Sequence, residues 1–213
     1  MKKRKLKPAV KIFAMVVFLL ICTISITTLV NNNTKEVVKE NSDFTYVNDY
    51  IFDNYYPVVN QEEKIGKPYT SDKVSIYKKF YEKDAKEEEQ QNSLIYHEGI
   101  YMQNSGVDYK SDESFDVVAS LSGTVTNISD DTLLGKTIEI RNSTELITTY
   151  QCLGEMLVKK GETITQGQII AKSGTCVLND GTSNSLHFEL YKNGQVINPE
   201  NYFEKSVKDL ADN

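Results

Sequence analysis

Histidine is almost absent from this chain: His97 and His187 are the two it has in 213 residues. A site built on three or more imidazoles is therefore excluded. Cysteine is scarce as well, with Cys22, Cys152 and Cys176, too few for a disulfide-built scaffold and without metal-ligand spacing. Acidic residues are missing from the first thirty positions, where Lys2, Lys3, Arg4, Lys5, Lys7 and Lys11 precede an uncharged run from Ile12 to Val30.

That run would span about 28 Å as a helix, matching a bilayer core of about 30 Å. Basic residues on its short N-terminal side put the N-terminus in the cytoplasm and the rest of the chain outside it. Thr27-Thr28-Leu29-Val30-Asn31 contains no small-x-small cleavage site, and Ile21 stands where a lipid anchor at Cys22 would need a small residue. The segment therefore reads as a retained transmembrane helix. An extracytoplasmic location permits a Cys152–Cys176 disulfide without requiring it.

The six basic residues of the N-terminus leave eighteen of 24 facing all thirty acidic ones, a balance of −12 beyond the membrane. So acidic an ectodomain disfavours nucleic acid and anionic lipid as ligands. Residues 31–73 read as a tether with aromatic clusters at Phe44-Thr45-Tyr46 and Tyr50 to Tyr56. Its 43 residues reach at most about 140 Å when extended.

From Val74 onward the apolar residues alternate, the pattern of strands with one buried face. Strands are predicted at Val74–Tyr81, Phe115–Ala119, Gly123–Ile128, Lys136–Arg141, Ile147–Cys152, Gln168–Ser173 and Leu186–Tyr191, punctuated by glycine turns. Asp84 to Glu89 reads as a helical turn or, better suited to a run of charges, a solvated connection. The expected fold is mainly β and antiparallel, with candidate free edges at Val74–Tyr81 and Lys136–Arg141. The organisation is a basic tail (1–11), a membrane span (12–30), a tether (31–73), a β domain (74–205) and a tail (206–213).

Several segments of that β domain resemble the lysostaphin/LytM-type peptidoglycan endopeptidases. Ser185-Leu186-His187-Phe188-Glu189 is similar to the family's His-Leu-His-Phe-Glu strand. Asn104-Ser105-Gly106-Val107-Asp108 is similar to His-x-Gly-x-Asp, and Tyr150-Gln151-Cys152-Leu153 to Tyr-x-His-Leu. Val158 to Gly174 resembles the glycine-punctuated hairpin, and Asn198-Pro199 the close. The likeness keeps order and spacing from about position 98 to 203. It implies an antiparallel LytM-like fold, the lysostaphin-type duplicated hybrid motif, behind one N-terminal transmembrane helix.

In active members of that family, zinc is held by the first motif's histidine and aspartate and by the second histidine of His-x-His. Two further histidines serve the attacking water. The matching positions here are Asn104, Asp108 and His187 for zinc, and Cys152 and Ser185 for the water. An amide oxygen is a poor zinc ligand beside imidazole, and neither serine nor a thiol replaces a catalytic imidazole. The resemblance thus implies a pseudo-enzyme with no catalytic residue and no cofactor; Asp108 and His187 alone could hold a leftover metal. His97 lies seven positions upstream of the matching register and reads as a strand-end residue.

A basic N-terminus, one span, a tether and a degenerate LytM domain resemble, as a plan, the membrane-anchored sporulation proteins of spore-forming Firmicutes. That resemblance implies an assembly module between forespore and mother-cell membranes, acting in engulfment. Its partner would be the ectodomain of stage III sporulation protein AH, in a homo- or hetero-oligomeric ring that forms a channel. The competing use is in the cell wall, as a peptidoglycan-binding protein or a zinc metalloendopeptidase.

Overall fold

The computed structural model describes residues 62–211 apart from position 144. The basic tail, the membrane span, the aromatic clusters and the tether up to position 61 lie outside the described residues. Among the described residues no helix is long and apolar enough to cross a membrane. The chain divides into two compact units, Met1–Asn54 and Tyr55–Asn213, and all described residues belong to the second.

The first strands are β1 (Ser75–Lys78), β2 (Leu94–His97), β3 (Ile100–Gln103), β4 (Val107–Lys110), β5 (Asp116–Val118) and β6 (Gly123–Asp131), with helix α1 (Glu87–Asn92) before β2. Then come β7 (Gly135–Arg141), β8 (Leu146–Met156), β9 (Thr163–Ile164), β10 (Ile169–Ser173), β11 (Ser185–Lys192) and β12 (Gln195–Ile197), and a short helix α2 (Val207–Ala211). Ten strands form one antiparallel sheet along the path β1-β4-β11-β8-β7-β6-β9, with β12 on β11 and β10 joining β8 to β5. Strands β2 and β3 form a separate hairpin. The mainly β, antiparallel expectation holds.

Two expectations need correcting and one open reading is resolved. Lys136–Arg141 is not a free edge: β7 is paired on both sides, by β6 and β8. At Asp84 to Glu89 the helical turn is met from Glu87, where α1 starts with three glutamates in its first turn, a place where the helix dipole favours negative charge. It buries none of its residues, so it is also solvated. The folded unit overruns 74–205 at both ends, since Ile65 is completely buried and Leu210 nearly so, both packed with Leu121, Leu146 and Leu190. Their burial depends on partners over fifty positions away, which alternation along the chain does not report.

The main core lies under β4, β7, β8 and β11 and is built on Tyr109, Ile138, Ile140, Tyr150, Leu186 and Phe188. Each such apolar side chain contributes about 1.5–3 kcal/mol by leaving water. Tyr150 joins apolar packing to a polar contact. Its ring lies 5.2 Å from that of Phe188, and its hydroxyl accepts the Ser120 amide at 2.8 Å. Tyr150→Phe is expected to leave that buried amide unpaired and to cost about 1–3 kcal/mol. Urea unfolding with an unchanged slope checks it.

Candidate functional site

Strand β11 sits between β4 and β8 and is buried on both faces over Ser185–Leu190. Its side chains alternate. Leu186, Phe188 and Leu190 enter the apolar clusters, which leaves Ser185, His187 and Glu189 on the other face. Asp108 of β4 stands opposite His187 on one side and Gln151 of β8 on the other. Directly paired residues share a face, so the three form a polar row across the sheet.

The histidine ring is held at both nitrogens. His187 Nδ1 lies 2.9 Å from Asp108 Oδ1, and Nε2 lies 3.3 Å from Glu189 Oε1. Ionised carboxylates only accept, so a ring placed between two of them favours the imidazolium, which donates from both nitrogens. Burial alone would depress its pKa; the hydrogen bonds and charges of Asp108 and Glu189 outweigh that and push it up to about 10. Burial would likewise raise Glu189, but its bonds to His187, Ser105 and Tyr191 hold it below the usual carboxylate range.

Polar neighbours complete the cluster. Asn104 Nδ2 donates to Asp108 Oδ2 at 2.8 Å and to the Lys79 carbonyl at 3.0 Å. Glu189 accepts the Ser105 hydroxyl, the Tyr191 hydroxyl at 2.9 Å and, more weakly, Gln151 Nε2 at 3.5 Å. Gly106 is needed for this closeness, since a Cβ there would sit 2.4 Å from the Phe188 carbonyl oxygen and 2.8 Å from His187 Nε2.

Of the five positions singled out in the sequence, Asn104, Asp108 and His187 come together, while Cys152 and Ser185 are engaged elsewhere. Cys152 forms a disulfide with Cys176, their Cα atoms 4.7 Å apart, which answers the question the sequence left open. Ser185 donates its hydroxyl to the Thr182 carbonyl at 2.9 Å. His97 ends β2 opposite Ile100, in the separate hairpin. All five positions are sealed from solvent, none more than 6% exposed.

This donor set does not fit zinc. The amide of Asn104 turns its NH2 toward Asp108, and its oxygen is buried without a partner among the described residues. The sulfur of Cys152 is committed to Cys176, which leaves Asp108 and His187 as two ligands where a zinc site takes three or four from the protein. Two zinc ligands at about 2.0–2.1 Å and a tetrahedral angle would stand about 3.3 Å apart; the direct Asp108–His187 hydrogen bond is shorter. Among the described residues no group of three or more histidine, cysteine, aspartate or glutamate side chains is placed to hold a metal ion.

Reading the motif residue by residue missed Glu189, Gln151, Ser105 and Tyr191. Glu189 was legible: it follows His187 by two in a strand and so shares its face. Tyr191 follows on the same face by the same period, whereas Gln151 and Ser105 reach the cluster through cross-strand register and loop packing.

Residues 102–199 match the model of peptidase family M23. Stage II sporulation protein Q of Bacillus subtilis (strain 168) is 37% identical over 161 residues, covering 74% of this chain and 57% of that protein. The chain thus spans a little over half the length of that relative. A solved SpoIIQ–SpoIIIAH pore-forming complex contains a chain 37% identical to this one with a TM-score of 0.68, covering 70% of this chain and 97% of that one. A second SpoIIIAH–SpoIIQ complex matches at 38% identity and a TM-score of 0.63, covering 66% and 100%.

Proposed function

This chain belongs to peptidase family M23, as a degenerate member related to stage II sporulation protein Q, and we propose that it is a membrane-anchored assembly module of sporulation rather than an enzyme. The observation that carries this reading is the doubly engaged His187. With its pKa raised to about 10 the ring is a poor proton acceptor for water near neutral pH, and the Asn104 amide and the bridged Cys152 leave too few ligands for a catalytic zinc. Asn104, Asp108, Cys152, Ser185 and His187 are then vestigial zinc and catalytic positions.

The same reading takes residues 12–30 as the membrane anchor, with the N-terminus in the forespore cytoplasm and the β domain in the space between the two membranes. Its partner is the ectodomain of stage III sporulation protein AH, in keeping with the solved complexes of the relative. A heterologous contact repeated about an axis closes a ring. Among the described residues strand β1 is an edge of the large sheet, bonded to β4 alone. The peptidoglycan reading loses ground because the five positions are sealed and present no cleft floor to a glycan peptide.

Binding of the full-length protein to that ectodomain, measured by calorimetry with and without EDTA, tests the reading. Equal affinities are expected, with zinc far below one atom per chain by elemental analysis. Binding abolished by chelation and restored by zinc would count decisively against it.

A further inference from the structure

Positions 79–101 precede the segment that matches the family model. They carry α1 and most of the β2–β3 hairpin, and their inner side is fastened onto the vestigial site. Besides the Asn104 amide bond to the Lys79 carbonyl, Tyr81 donates its backbone amide to the Asn104 carbonyl at 2.9 Å, and Asn104 donates its own to the Ser93 carbonyl at 3.1 Å. Asn198 holds Glu82 at 2.6 Å. Ile95 of β2 is buried, and β2 lies against the 3-10 turn that follows Cys176. This segment is one of the covers over the old active site.

Its outer side is open. Tyr96 and Tyr101 pair directly across the hairpin with ring centroids 4.9 Å apart, yet stay 54% and 69% exposed, and Ile100 at the tip is 63% exposed. Large apolar side chains clustered in water on a monomer mark a contact site, and tyrosine is enriched at such sites. Among the described residues strands β2 and β3 pair only with each other, so each keeps a free edge; a lone two-stranded hairpin is marginal by itself and gains from another strand. Charge argues for a basic occupant: the hairpin turn carries Glu98 and no lysine, and the solvated helix α1 just before the hairpin carries Glu87, Glu88 and Glu89.

We propose that this outer face is the partner-docking surface, and that it takes an extended aliphatic segment flanked by lysine or arginine. The inference rests on the assembly reading and deepens it by naming the surface. The segment before the family-matched residues would then present a protein-binding face over the place where active members of the family have their cleft.

The test is binding of the full-length protein to the stage III sporulation protein AH ectodomain, comparing wild type with Tyr96→Ser/Tyr101→Ser and with Glu98→Lys, at low and high salt. The tyrosine variant is expected to bind at least about tenfold more weakly, as truncated interface aromatics do. Its Tm should stay unchanged, because neither ring is buried. Glu98→Lys should flatten the salt dependence. If wild type binds and the tyrosine variant binds within twofold of it, the docking surface is wrong and the assembly reading stands. No binding by wild type overturns both. Intact ectodomain binding with lost binding to purified cell-wall sacculi would overturn it in favour of a glycan occupant. Should the tyrosine variant unfold, Ile100→Lys at the exposed tip replaces it under the same criteria.

Discussion

Asp108→Ala is expected to lower unfolding free energy by about 3–5 kcal/mol at pH 6, the cost of stripping one partner from a buried ion pair. The loss should depend on pH in a direction the site dictates. His187 has a folded pKa of about 10 against an ordinary 6.5, so its stabilisation is complete below 6.5 and disappears as pH rises through 10. Glu189 is held below its ordinary 4.5, so its contribution is present above 4.5 and is lost as pH falls through the lowered value. The cluster therefore stabilises most between about 4.5 and 6.5. Urea unfolding of wild type and variant at intervals from about pH 5 to 10 should give two curves that converge as pH rises. A gap that stays constant to the alkaline end would mean that His187 is neutral in the folded protein.

The second large effect concerns the disulfide. Replacing Cys152 and Cys176 together by serine is expected to cost about 3 kcal/mol, the loop-closure value for a bridge of this span. In a domain of this size that corresponds to a Tm lower by roughly 10 °C. The bridge ties β8 to the loop after β10, and Cys152 holds a left-handed backbone, φ 60°, at its end of the link. Both cysteines are buried, so reductant should act slowly on the folded protein and fully on the unfolded one. Calorimetric scans of wild type, oxidised and then reduced after unfolding, are expected to differ by the same margin as wild type and the serine variant. Identical oxidised and reduced transitions would contradict the role given to the bridge.

Much of this architecture was legible because it depends on local period. Alternation marked β5 through β8, β10 and β11 to within a few residues, and the order of Asn104, Asp108, Cys152 and His187 along the chain placed the site. What stayed hidden depends on contacts between distant segments. The Cys152–Cys176 link requires a 4.7 Å approach that no spacing reveals. Burial of Ile65 and Leu210 requires the two ends of the domain to share one cluster. The free edge assigned to Lys136–Arg141 failed because a strand's neighbours follow from sheet order, not from its own pattern. Glu189 is the intermediate case: strand period alone put it beside His187, but only the structure shows that it closes the second nitrogen.

With its pKa raised to about 10, His187 is expected to carry a proton where the active members of its family place a metal, and the reading of this chain as a non-enzyme turns on that exchange. Nitrogen NMR of the 15N-labelled His187 ring at about pH 8, before and after one equivalent of zinc, decides it, because that pH lies between the ordinary and the raised pKa. Two protonated nitrogens, titrating with a pKa of about 10 and unmoved by zinc, are the expected result. A neutral ring at that pH, or a resonance shifted by stoichiometric zinc, would contradict it.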